Sequence, residues 1–171
     1  MTENPTEVAG AKRTEADEHD RIFLCVVDSS AEMKIALRFA SRRANHTGGR
    51  VALLFVIEPA DFQHWMSVEE KMREERREEA ERVLQNLAAQ VNDVAGVMPA
   101  LYVREGSPDD EILKLIEEEP RISVLVLGAG TDKKGPGPLV TSLAGKMSGK
   151  FPIPITVVPG NLTEDQIDSL T

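Results

Sequence analysis

The sequence is poor in reactive and metal-binding side chains. It has one cysteine, Cys25, among 171 residues, so no disulfide can close within the chain and a reducing compartment is expected. Cys25 sits in the apolar run 22–27, where a thiol acts as a small buried hydrophobe rather than a nucleophile. The three histidines, His19, His46 and His64, fall at no metal-ligand spacing, and a lone cysteine cannot complete a zinc site. No stretch approaches the apolar length that spans a bilayer, and residues 1–20 lack the apolar centre of a signal peptide. The expected location is the cytoplasm. Positive charge is also scarce. Twenty Lys and Arg against 29 Asp and Glu leave a net charge of −9, which argues against broad contact with nucleic acid or a membrane surface. It does not argue against one anion in a local pocket, where nearby dipoles decide.

What is present describes a folded domain. Hydrophobic content of 41% and charged content of 29% are ordinary for a soluble globular chain, and the length suits one domain with extra segments. Residues 1–20 are polar and aperiodic and read as a disordered tail. Continuous apolar runs at 22–27, 51–57, 98–104, 122–127 and 153–158 suit strands buried on both faces of a parallel sheet. Between them lie helical patterns. Ser29 and Ser30 can cap the first helix, and Gly48-Gly49 stop it. The second runs over 68–92, apolar in its second half and almost all charge in its first. There Glu69 with Arg73, Lys71 with Glu75 and Glu78 with Arg82 can pair four apart. That half reads as a solvated face, with a protein partner as the functional alternative. Ser107 caps a third helix with Pro108 at its first position, and a fourth covers 140–148. Pro152 and Pro154 place the last strand at an edge. Thr163 to Gln166 has capping-box spacing for a short helix within 160–171. Strand and helix in alternation imply an open parallel sheet with right-handed crossovers, in which ligands bind beyond the carboxyl ends of the strands.

The segment from Val124 to Ser142 is the most pointed. A buried strand stops at Gly128 and opens into a loop with Gly130, Gly135 and Gly137, Lys133 and Lys134, then Thr141 and Ser142 at a helix start. Bare backbone amides in such a loop, with the positive end of the next helix, make a phosphate site. The pattern is not a P-loop, since no Gly-Lys-Ser/Thr ends it, and it lacks the dinucleotide spacing. Asp28, ending the first strand, reads equally as a cap on the next helix or as an acceptor for a base amino group or ribose hydroxyl. His64-Trp65 reads as a local cluster rather than a lid. No Ser/His/Asp arrangement is readable, and Ser142 has no nucleophile-elbow context. Nothing gives positive evidence of catalysis.

These pieces together resemble the universal stress protein family. The resemblance spans residues 21–159. It rests on Val26-Val27-Asp28-Ser29-Ser30 with the Ala36-Leu37-Arg38-Phe39-Ala40 helix behind, and on Phe55-Val56-Ile57-Glu58. It rests also on Glu105-Gly106-Ser107-Pro108, the run from Val126 through Ser142, and Pro152 to Val158. It implies a doubly wound α/β domain of the adenine nucleotide alpha hydrolase-like kind, with five parallel strands in the order 3-2-1-4-5. It further implies a homodimer formed through the last strand, from Ile153 to Val158, and a site for ATP or AMP, which many members bind; the residues themselves predict no metal site. Carried onto this chain, the adenosine site would use Val26, Val27 and Asp28, with Val56 against the base and Leu127 and Gly128 from the fourth strand. The family's phosphate motif is Gly, two residues, Gly, nine residues, Gly and then Ser or Thr. Gly128 and Ser142 match it, Thr131 and Thr141 replace its second and third glycines, and Gly130 lies one residue early. A side chain costs free energy where positive φ or close approach is needed, so the motif is weakened.

The leading expectation is a homodimeric stress-response protein that binds an adenine nucleotide without strong turnover. The alternative is the same fold as a nucleotide-independent signalling dimer. A phosphoacceptor switch is disfavoured, because Asp28 stands alone after the first strand and Pro159-Gly160 rather than a lysine follows the fifth.

Overall fold

The computed structural model describes residues 21–59 and 66–171. The expected disordered tail at 1–20 and the His64-Trp65 cluster lie outside the described residues. Five strands, β1 (Ile22–Val26), β2 (Arg50–Ile57), β3 (Ala100–Glu105), β4 (Ile122–Ala129) and β5 (Ile155–Pro159), form one sheet in the order β3-β2-β1-β4-β5. Every neighbouring pair is parallel. Helices α1 (Ala31–Thr47) and α2 (Met66–Ala95) cover one face. Helix α3 (Pro108–Glu118) and a π-helical segment, Val140–Lys146, cover the other. Helix α4 (Glu164–Leu170) packs on α1. Crossovers that step one way along the sheet lie on one face and those that step back lie on the other, as right-handed connections require.

Local chemistry sets these bounds. Ser30 is the N-cap of α1, extended at φ −74°, and its hydroxyl accepts the Met33 N–H at 3.2 Å. Gly48 ends the helix at φ 68°, the left-handed conformation glycine adopts without cost. Met33, Ala36, Leu37, Ala40 and Ala44 form its buried stripe. In α2 the buried side chains Ala80, Leu84, Leu87, Ala88 and Val91 fall in the second half, while the charged half is largely exposed. Its pairing differs from the four-apart expectation. Arg73 donates to Glu105 at the end of β3 (2.7 Å), and Arg82 pairs with Glu79 (2.9 Å). Tertiary reach and a three-apart geometry take these two arginines, while a four-apart pair forms elsewhere, between Arg77 and Glu81 (3.4 Å).

Other details depart from the sequence reading. Ser107 precedes α3 in extended conformation, but its side chain makes no capping bond. The fourth helix is seven residues of π-helix rather than a longer α-helix. Pro152 and Pro154 lie ahead of β5 rather than within it, and the Pro154 carbonyl accepts the Leu125 N–H at 3.0 Å. β5 does stand at the sheet edge. The Thr163–Gln166 capping box forms, Ile167 is fully buried, and Arg38 grips Asp168 with two hydrogen bonds of 2.8 and 2.7 Å. Among the described residues no helix is long and apolar enough to cross a membrane.

Burial pushes the Cys25 thiol up to about 12, which keeps it protonated and unreactive. The Arg73 guanidinium, first by its hydrogen bond and then by its charge, holds Glu105 below the usual carboxylate range. A carboxylate so lowered stabilises the fold above its unfolded value, and the contribution is lost as pH falls through the folded value.

Two predictions follow from this packing. A Cβ at Gly128 would overlap the Glu32 carbonyl in the first turn of α1, so Gly128→Ala should cost about 1–3 kcal/mol in urea denaturation. An unchanged midpoint would contradict that contact. Arg73→Ala should raise the Glu105 titration towards the ordinary carboxylate range, read from its side-chain carbon shift against pH; no movement would mean that the ion pair is not formed in solution.

Candidate functional site

In a parallel sheet all carboxyl ends lie along one edge, so residues distant in sequence converge there. The register pairs Cys25 of β1 with Val126 of β4, and Asp28 and Gly128 leave these neighbouring strand ends to line the same small cavity. Beside it opens a cleft of 480 Å³, within the range that holds small molecules, about 300–1,000 Å³. Val26, Val27 and Asp28 enter it from β1, and Val56 and Glu58 from β2. Ser107, Pro108 and Asp109 enter from the start of α3, and Pro138, Leu139 and Ser142 from the segment after β4. The smaller cavity, 120 Å³, shares Val26, Asp28, Pro138 and Leu139 with it and reaches Glu32, Leu127 and Gly128.

The ten expected site residues therefore divide. Val26, Val27, Asp28, Val56 and Ser142 line the large cleft. Leu127 and Gly128 line only the small cavity. Gly130, Thr131 and Thr141 line neither. Val27 is buried, and its N–H donates to the Leu54 carbonyl at 2.8 Å, so it holds the strand end in place. Val26 and Val56 are half-buried and present apolar surface to the cleft. Both readings of Asp28 apply in part. Its Oδ1 accepts the Ser30 N–H at 2.8 Å, which sets the turn into α1. The residue is nevertheless exposed at the cleft.

The loop after β4 commits three of the amides expected to be bare. The Gly130 N–H donates to the Pro136 carbonyl (3.1 Å). The Lys134 and Gly135 N–H groups donate to Asp132, the first to its carboxylate at 2.8 Å and the second to its carbonyl at 3.2 Å. The loop closes on itself. Positive φ falls at Gly135 (89°) and Gly137 (101°), and no other residue type adopts it among the described residues. Thr131 and Thr141 thus carry no positive-φ cost in this conformation. Thr141 instead ties the helix start, its hydroxyl donating to the Gly137 carbonyl at 2.9 Å. Gly128 serves close packing, since α1 passes directly over it. The Ser142 hydroxyl donates to the Asp109 carboxylate, and Lys133 and Lys134 are exposed outside the cleft lining.

Sequence reasoning missed Glu58, Ser107, Pro108, Asp109, Pro138 and Leu139 as lining residues. The available signal was position: Glu58 and Asp109 follow the ends of β2 and β3, the edge where such folds bind ligands. Among the described residues no group of three or more His, Cys, Asp or Glu side chains is arranged to hold a metal ion.

Comparison with known proteins agrees with this architecture. No curated protein matches the chain significantly. Among solved structures, UspA, a universal stress protein from Lactobacillus plantarum, superposes with a TM-score of 0.66 at 19% identity, covering 81% of this chain and 97% of that one. A universal stress protein in complex with cAMP gives 0.57 at 12% identity over 83% of this chain and 98% of its own. A family member from Arabidopsis thaliana with AMP bound gives 0.56 at 16% over 81% and 91%. At these identities the likeness establishes the fold. The sequence model of the universal stress protein family matches residues 20–159, most of the chain, and the chain belongs to that family.

Proposed function

We propose that this chain is a homodimeric stress-response protein that binds an adenine nucleotide, ATP or AMP, in the cleft of 480 Å³ and does not turn it over strongly. The observation that carries the reading is the cleft itself. It lies at the carboxyl ends of β1 and β2, next to the switch point between β1 and β4. Val26 and Val56 offer the apolar surface a purine ring needs. Asp28, whose second carboxylate oxygen has no protein partner among the described residues, offers an acceptor for a ribose hydroxyl or base amino group. Two proteins of the same fold have been solved with AMP and with cAMP, which supports a nucleotide over other small molecules. Binding rather than catalysis rests on the sequence, which has no readable pairing of nucleophile and base.

Association through β5 is supported by its place at the sheet edge and by Val157, a large hydrophobic side chain left exposed on it. Unpaired strand edges invite pairing. A cytoplasmic location is part of the same reading, supported by the single buried thiol of Cys25. A second reading, a dimer that acts without nucleotide, draws support from the Gly130 amide and Ser142 hydroxyl, both bonded internally.

Calorimetric titration separates the two readings. AMP should bind with measurable heat and raise the melting temperature. Asp28→Ala should weaken binding about ten-fold or more, as loss of a charged hydrogen bond implies. Neither heat nor thermal shift at millimolar AMP or ATP would favour the nucleotide-independent dimer.

A further inference from the structure

We propose that the cleft selects against phosphate charge, taking an adenine nucleoside or monophosphate in preference to the triphosphate, and that Asp109 sets this preference. The inference rests on the nucleotide reading above and specifies its ligand class.

Three carboxylates reach the cleft from three different strand ends: Asp28 after β1, Glu58 after β2 and Asp109 after β3. Among the described residues no lysine or arginine lines it. A carboxylate only accepts hydrogen bonds. Adenine's amino group and the ribose hydroxyls are donors and suit such a surface. A polyphosphate offers only acceptors and negative charge, so it needs the opposite surface. Two groups of the phosphate motif that would donate to phosphate are already committed, which leaves the Ser107 hydroxyl, with no capping bond, as a donor at the cleft wall. The Ser142 hydroxyl, at the one hydroxyl position of the phosphate motif that this chain retains, donates to Asp109. The Gly130 N–H donates to Pro136 across the loop. Asp109 therefore acts twice against a phosphate chain: it occupies the Ser142 hydroxyl, and it adds a negative charge to the cleft lining. Its position in the first turn of α3 fixes it there, since an acidic side chain is favoured at that end of a helix.

The test titrates the full chain with adenosine, AMP and ATP in EDTA, so that no divalent cation masks phosphate charge. It is run at low and at high sodium chloride, with wild type and D109N. Asparagine keeps an oxygen to accept from Ser142 and removes the charge. We expect AMP to bind about ten-fold or more tightly than ATP at low salt, with the gap narrowing as salt screens the carboxylates. D109N should raise affinity for ATP more than for adenosine. A role for Asp109 in packing alone would shift all three ligands together. ATP binding as tightly as AMP, or a parallel shift of all three ligands in D109N, would overturn the inference and leave the nucleotide reading standing. Failure of all three to bind wild type would remove both. The salt comparison uses the unaltered protein and does not depend on how the variant folds.

Discussion

The close seating of α1 on the end of β4 is the constraint on which the site depends. The first turn of α1, at Glu32, presses on Gly128 with no room for a side chain, and Gly160 meets the same residue from beyond β5. That contact holds β1, β4 and β5 in fixed relation at their carboxyl ends, where Asp28 turns into α1. Because α1 occupies one side of this edge, the open space lies on the other side, over β1 and β2. There α3 and the segment after β4 supply the walls. A rigid β1 end, held by the Val27 bond to Leu54, then presents Val26 and Asp28 to that space without further adjustment.

The polarity of the cleft follows from the same geometry. Parallel strands bring their carboxyl ends together, and in this chain three of those ends are followed by an acid that reaches the cleft. Asp109 stands in the first turn of α3, where an acid is favoured, and Asp28 accepts the Ser30 N–H that leads into α1. For these two acids a demand of local structure also sets the chemistry of the ligand surface, and with Glu58 they give an acceptor-rich wall beside the apolar Val26 and Val56. In the glycine loop the Gly130, Lys134 and Gly135 N–H groups, which could have supplied balancing donors, hold the loop's own shape through Asp132 and Pro136.

Much of the fold was legible in the sequence. Apolar runs gave five strands near their observed places, Ser30 and Gly48 bracketed α1, and the prolines before β5 marked an edge. These are local signals, each with a short-range cause. What was not legible depended on tertiary reach. Arg73 looked paired with Glu69 until β3 brought Glu105 to it. Glycine content in the loop suggested open amides, yet composition does not fix where an N–H points, and the Pro136 carbonyl captured that of Gly130. Asp109 had a sufficient local explanation as a first-turn acid. Only the folded chain shows that it also faces the cleft and meets Ser142, 33 residues away.

The central claim is that the cleft framed by these strand ends is where an adenosine group sits. The most direct measurement is residue-by-residue amide chemical-shift mapping of the labelled chain during titration with adenosine. The account predicts that perturbations concentrate at 26–28, 56–58, 107–109 and 138–142, the four segments that line the cleft. Perturbations confined to the Gly130–Gly137 loop or to α2, or none at saturating ligand, would contradict it.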